Sequence, residues 1–451
     1  MEKEKGYLKK ALPNLSFLFI TGVLSSIFIF STQVFLARQL NVSGYGLFVS
    51  ALATITLLAP LSVFGISHVW LKLYGVEGIQ ANRWLKVSQK LLLITLAITI
   101  LIIIFWSYLG PHSSDFRIIL LGLLPLVISH LLIELVNTRF QLEGRYGALG
   151  LWQNLTHLLR FLFVLVGFTL FFSPFEVKQV VVGYSLISIF VSIFGYLLLL
   201  PMLKGAINLD ILGSETSELT GQYSDTLSIS KVFSQSLPFG LAGIFYLIYL
   251  QSDLIFLKYL VDETATGIYA AAFAVMLAIY FIPGVIYQKY LLPKIHGWAS
   301  HDTNMLLKIF QAGNGLMLLL GLFIFVFVFT LSPHLIPLIF GEAYEEASSV
   351  LLILSICIPI RFLATSVESP LFTKDLMKWK TQSMGFAALL NIILNFILIP
   401  QFSFYGAALA TLVSELVLVI LYLVIVHGKL FGSKTWSNWN SGLKMSFWQG
   451  I

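Results

Sequence analysis

A seventeen-residue stretch of this chain occurs twice, offset by 221 positions and without a gap. Residues 35–51 lie over residues 256–272, with Phe35/Phe256, Leu36/Leu257, Gly46/Gly267 and Ala51/Ala272 identical. Seven further pairs are close replacements, among them Asn41/Asp262, Ser43/Thr264 and Phe48/Tyr269. Each copy joins the end of one long apolar run to the start of the next. Such a chain is expected to fold as two related halves, both embedded in a membrane. Transporters are often built from repeats of this kind.

Composition agrees with membrane embedding. The 451 residues are 58% hydrophobic and 11% charged, against about 25% charged in ordinary globular proteins. Mean hydropathy is +0.91. Runs of about 20 apolar residues match the thickness of a bilayer. They are expected at 14–37, 45–67, 89–109, 117–137, 154–173, 179–200, 236–259, 267–290, 311–332, 347–369, 382–400 and 404–427. The first run follows a basic start and continues from Leu15 to Ala37. It is too long for a signal peptide core and reads as an uncleaved first span. One long polar connection, 204–231, divides six spans from six. The expected organisation is a six-helix lobe at 1–203, a cytoplasmic linker at 204–231 and a second six-helix lobe at 232–451. The single Cys357 lies in an apolar run, so no intrachain disulfide forms.

The charges test the topology. With the N-terminus in the cytoplasm, the inner segments hold 21 of the 27 basic residues. The outer segments hold four: Arg38, Arg117, Lys178 and Lys258. This is the positive-inside bias. It puts both termini in the cytoplasm and accounts for the net charge of +6 without nucleic acid. The fold class is all-α. Twelve transmembrane helices are expected in two lobes around a central cavity, related by a parallel pseudo-two-fold repeat. The longest outer loop is expected at Ser332 to Glu346. No outer loop has room for a catalytic domain, no nucleotide-binding or nucleophile motif is present, and no metal-ligand spacing occurs. The chain does not read as an enzyme, and no cofactor is expected.

Three blocks carry a family resemblance. The first runs from Ala37 to Leu40 and then from Gly44 to Phe48. The second runs from Leu335 to Tyr344, with Ala347, Val350 and Leu351. The third runs from Leu390 to Pro400, then from Tyr405 to Thr411, with Ser414 and Glu415. In these blocks the chain resembles the Wzx-type oligosaccharide-lipid flippases. Those flippases belong to the multidrug, oligosaccharidyl-lipid and polysaccharide exporter superfamily. The resemblance implies a polyprenyl-pyrophosphate-linked oligosaccharide as substrate, such as an O-antigen or other surface polysaccharide repeat. It implies flipping to the outer leaflet of a bacterial inner membrane by alternating access. Membrane lipid and a polysaccharide polymerase would be the surrounding partners. A cation-coupled multidrug exporter of the same superfamily is the alternative. A membrane polymerase or ligase of lipid-linked sugars is a more distant one.

Several residues stand out against their apolar spans. Arg160 and Arg361 each interrupt an apolar helix, at a cost of at least ~2.5 kcal/mol on insertion scales. A guanidinium suits bidentate phosphate binding, so both are candidate substrate contacts. The other readings are pairing with a carboxylate and snorkelling to the inner face. Asp253, Glu415 and Glu134 are candidate ion-coupling acids, with pairing to Arg160, Arg361 or Lys258 as the plainer reading. Asp253 stands where the first copy has the neutral Thr32. His130 and His157 read as satisfied polar residues. Pro60 and Pro283 interrupt equivalent spans and are candidate kinks or hinges. Gly46 and Gly267 read as close-packing residues after capping by Ser43 and Thr264, or as hinges. Asn391 and Asn395 share a helix face and are expected to bond between helices.

Overall fold

Inside hydrocarbon, an apolar run satisfies its own backbone N–H and C=O groups only by coiling into a helix or closing into a barrel. The computed structural model describes residues 2–171, 176–209, 227–291, 295, 298–299, 302–373 and 376–443. Every regular element among them is helical. In the N-terminal part these are α1 (Glu2–Gln39), α2 (Val42–Leu58), α3 (Ile66–Glu77), α4 (Leu85–Leu109), α5 (Ser114–Gly122), α6 (Pro125–Leu142), α7 (Tyr146–Phe171) and α8 (Val177–Leu203). Then follow α9 (Ile229–Leu260), α10 (Glu263–Gly284), α11 (Thr303–Phe340), α12 (Ala347–Ser355), α13 (Cys357–Glu368), α14 (Met377–Phe402) and α15 (Phe404–Val426).

Ten described stretches are long and apolar enough to cross a membrane. The pair α12 and α13, bent by 40°, makes an eleventh. One of the ten, Val42–Leu109, is 68 residues long and contains 3₁₀ turns at Ala59–Ser62 and Gly78–Trp84. Large apolar side chains such as Leu93, Phe105, Ile193, Leu197, Phe323 and Phe327 are exposed on these helices. The chain is an all-helical, multi-pass membrane protein.

Two compact units form. Unit 1 holds residues 1–28 and 51–247, and unit 2 holds 29–50 and 248–451. The core of unit 1 gathers Trp70, Trp84, Leu135, Trp152, Val191 and Met202. A core of unit 2 gathers Phe310, Val367, Leu371, Ala387, Leu418 and Tyr422. Of the expected linker, 210–226 lies outside the described residues.

Two local expectations are corrected. The segment from Ser332 is not a loop, because α11 continues to Phe340 with Pro333 and Pro337 inside it. Ser332 donates to the Ser348 carbonyl of α12 at 2.7 Å. Arg38 donates to the carbonyls of Leu338 and, at 2.7 Å, Ile339, two of the groups a helix end leaves unsatisfied. The chain leaves the helix only at Gly341, whose φ of +101° suits glycine. The second correction concerns the duplicated helix starts. Their caps are Asn41 and Asp262, not Ser43 and Thr264. Asn41 accepts from the Gly44 N–H at 2.6 Å and Asp262 from the Ala265 N–H at 2.7 Å. A side-chain oxygen two or three residues ahead of the orphan N–H is the usual cap geometry.

Candidate functional site

Unit 2 buries a polar cluster around Asp253, which is 2% exposed. Helix α9 carries Asp253, and three other helices aim donors at it or its partners. Tyr269 of α10 donates at 2.6 Å, Asn395 of α14 at 2.6 Å and Thr411 of α15 at 2.5 Å. Asn391, one turn from Asn395, accepts from Asn395 at 3.0 Å and from Ser252 at 2.7 Å. No ion pair reaches Asp253 among the described residues. The Oδ1 of Asn395 remains without a hydrogen-bond partner. The cluster is rich in the carboxylate, amide and hydroxyl oxygens that suit a proton or a hard cation.

Glu415 lies one turn along α15 from Thr411 and is 1% exposed. Its Oε1 pairs with Arg361 of α13 at 3.6 Å, so of the readings open for Arg361 the structure shows a carboxylate partner. The Arg361 guanidinium also sits 5.7 Å from the Tyr280 ring centroid. Tyr249, one turn from Asp253 on α9, approaches Glu415. Further along α13, Glu368 pairs with Lys380 of α14 at 3.4 Å.

Unit 1 holds Arg160 and Glu134. The Arg160 guanidinium stacks over the Tyr184 ring at 4.5 Å, a cation–π arrangement between α7 and α8. Its Nε has no hydrogen-bond partner, and no carboxylate pairs with it among the described residues. Glu134 is half-buried on α6, one turn from His130, with no ion pair among the described residues. His157 stands one turn before Arg160 on α7. Asp253 and Glu415 lie in unit 2, and Glu134 and Arg160 in unit 1.

The paired prolines lie in different local settings. At Pro60, α2 gives way to a 3₁₀ turn, followed by Phe64 and Gly65 at φ of 42° and 75°. Gly65 is the residue that admits close approach, because a β-carbon there would fall 2.6 Å from the Ser236 carbonyl oxygen. Pro283 lies inside the last turn of α10, which runs to Gly284, and a π turn follows at Val285–Leu291.

Sequence reasoning passed over Tyr269 and Thr411, although one signal was available. Asp253 replaces Thr32 of the first copy, and Tyr269 replaces Phe48. The second copy thus gains polar atoms at two positions, and those two side chains bond each other. Among the described residues no group of three or more His, Cys, Asp or Glu is placed to hold a metal ion.

Comparison with known proteins places this geometry. The model of a family described as "Polysaccharide biosynthesis protein" matches residues 11–296, more than half of the chain. The probable low-salt glycan biosynthesis flippase Agl15 of Haloferax volcanii is 23% identical over 412 residues, covering 90% of this chain and 81% of that protein. Among solved structures, a lipid II flippase MurJ in an inward closed conformation has a TM-score of 0.68 at 15% identity. That match covers 94% of this chain and 90% of the other. An inward-facing MATE-family multidrug resistance transporter has a TM-score of 0.67 at 15% identity, covering 92% and 96%. At such identities the likeness is one of fold. The chain belongs to the family described as polysaccharide biosynthesis protein, whose model covers more than half of it.

Proposed function

We propose that this chain flips a polyprenyl-pyrophosphate-linked oligosaccharide from the cytoplasmic to the outer leaflet of a bacterial inner membrane. The physical task is to carry a polar sugar and two phosphates across about 30 Å of hydrocarbon while the lipid tail stays in the bilayer. The observation that carries the reading is Arg160. Its guanidinium is held by stacking on Tyr184 rather than by a carboxylate, and its Nε is unsatisfied. A planar fork kept in that way suits a phosphate. Arg361 is the second candidate contact, with Glu415 sharing its charge. The glycan flippase among the relatives supports the same substrate class.

In this reading Val42–Leu109 crosses twice, breaking at Gly78–Trp84, which brings the crossings to twelve in a parallel six-plus-six repeat. The distribution of the basic residues supports a reading with both termini in the cytoplasm. Asp253 is the coupling acid, set among Tyr269, Asn391, Asn395 and Thr411. Glu415 and Glu134 are the further acids of the coupling reading, and Pro60 and Pro283 are the points about which their spans flex during alternating access.

A cation-coupled multidrug exporter is the second reading, favoured by the buried Asp253 cluster and the likeness to a multidrug transporter. One experiment separates the two. Cells deprived of the protein are extracted for lipid-linked sugars. Accumulation of a polyprenyl-linked oligosaccharide on the cytoplasmic side supports flipping. Unchanged lipid-linked sugars with increased drug sensitivity support the exporter.

A further inference from the structure

Residues 416–451 contain three lysines, Lys429, Lys434 and Lys444, and no acidic residue. Helix α15 ends within this stretch at Val426. A π turn at His427–Phe431 and 3₁₀ turns at Gly432–Trp436 and Trp439–Leu443 follow. This segment is fixed against α11. Gln311 of α11 donates to the Lys434 carbonyl at 2.8 Å and to the Ser437 hydroxyl at 3.0 Å. Gly315, one turn on, admits its backbone, because a β-carbon there would collide with the Trp439 carbonyl oxygen. The Trp439 indole N–H donates to the Thr435 carbonyl at 2.8 Å. Lys429 and Lys434 are thus exposed side chains on a pinned backbone.

Two bare apolar stripes run out beside this segment. On α14, Trp379, Phe386 and Ile393 recur every seven residues and are all exposed. On α15, Leu416, Ile420 and Val424 recur every four and are exposed as well. Side chains at these spacings share a helix face, and bare apolar faces on membrane spans meet lipid. At the end of the stripes the Lys429 ammonium lies 4.5 Å from the Trp379 ring centroid, a cation–π contact. Trp436, 56% exposed, reaches the same π turn, its ring 6.3 Å from that of His427. Exposed tryptophans and lysines at the end of an apolar span sit at headgroup depth. No carboxylate pairs with Lys429 or Lys434 among the described residues. Glu368 is taken by Lys380, and Asp302 caps α11 by accepting from the Met305 N–H at 2.9 Å.

We propose that Lys429 and Lys434, framed by Trp379 and Trp436, bind the headgroup of an anionic phospholipid in the cytoplasmic leaflet. Only the choice of leaflet rests on the reading of both termini as cytoplasmic; the binding itself is independent of transport. The ammonium groups hold the lipid phosphate by charge-assisted hydrogen bonds. The acyl chains continue along the stripes of α14 and α15. The negative surface potential of the cytoplasmic leaflet favours basic residues at this depth. An acidic protein would need a face turned wholly to water, whereas this cluster stands at the foot of lipid-facing helices.

The test uses the purified full chain in a neutral detergent. Phosphatidylglycerol and phosphatidylcholine of equal chain length are the probes, and native mass spectrometry counts bound lipid. Phosphatidylglycerol is expected to bind the wild-type chain more tightly. Lys429→Gln with Lys434→Gln is expected to weaken it about tenfold and to leave phosphatidylcholine unchanged. Equal binding of the two lipids by the wild-type chain overturns the proposal, and so does an undiminished preference in the double variant. Lys86→Gln with Lys90→Gln, two exposed lysines of unit 1, controls for net charge. An equal loss there overturns the site. Displacement of the lipid by an equal concentration of glycerol phosphate also overturns it, since a free phosphate would then be the ligand. Should the double lysine variant not fold, Trp379→Leu removes the ring under Lys429, and an unchanged preference in that variant contradicts the site. The leaflet is tested separately by Ser433→Cys in intact cells. No reaction with an impermeant thiol reagent is expected. Labelling would contradict the cytoplasmic leaflet and the topology behind it, while leaving the lipid titration to stand on its own.

Discussion

Gly46 and Gly267 press against each other's helix starts. A β-carbon on Gly46 would collide with the carbonyl oxygen of Glu263, and one on Gly267 with the carbonyl oxygen of Val42. Val42 and Glu263 are the same position in the two copies of the duplicated segment, so the contact is reciprocal. The duplicated segments thus meet in a two-fold packing relationship within unit 2. Both partners of each collision are backbone, which yields far less readily than a side chain. Gly46→Ala and Gly267→Ala are each expected to destabilise the protein by about 1–3 kcal/mol through overpacking. Thermal unfolding in detergent measures this, and an unchanged midpoint in both variants contradicts the contact.

A second pair of contacts joins two of the blocks that identify the family. Arg38 donates to the last carbonyls of α11, and the Tyr344 hydroxyl donates to the Ala37 carbonyl at 3.0 Å. Burial raises the Tyr344 phenol well above its ordinary range, so it stays a donor at any working pH. Tyr344→Phe is expected to cost about 1 kcal/mol, one net hydrogen bond. Arg38→Ala is expected to cost more, because two helix-end carbonyls lose their donor. Lowered thermal midpoints in that order, at pH 6 and pH 8 alike, are the predicted result.

These contacts show what the sequence made legible. The spans follow from apolar run length, since only helix satisfies a backbone in lipid. The boundary at Ser332 did not, because Pro333 and Pro337 look like breakers until their neighbours are in place. Arg361, Glu415 and Asp253 stood out as charges in apolar runs. Which acid Arg361 would meet was not readable, because α13 and α15 come together only by packing. Tyr269 and Thr411 were hidden for a related reason: hydroxyls are common in membrane helices, and only the comparison of Asp253/Thr32 and Tyr269/Phe48 between the copies singles out the first of them.

The Arg361–Glu415 pair should behave as a buried ion pair. Removing one partner strands the other charge and typically costs about 3–5 kcal/mol. Arg361→Met and Glu415→Gln are each expected to reduce folded protein in the membrane. The double variant should recover much of the loss, which a double-mutant cycle quantifies. Additive losses contradict a direct pairing.

Arg160 is expected to fail in a different way. Arg160→Ala should insert and fold near normally yet lose export. Arg160→Lys, which keeps the charge but not the planar fork, should retain part of it. Quantifying surface polysaccharide alongside membrane protein levels separates these outcomes. A normally exporting Arg160→Ala variant removes Arg160 from the substrate site.

Reconstituted flipping tests the central claim most directly. Proteoliposomes containing the purified chain and a polyprenyl-pyrophosphate oligosaccharide are challenged with a glycosidase that cannot cross the membrane. If the chain flips this lipid, the fraction of sugar open to digestion rises well above that in protein-free vesicles, and Arg160→Ala abolishes the rise. Equal digestion with and without the protein, under an imposed proton or sodium gradient of either sign, contradicts the account.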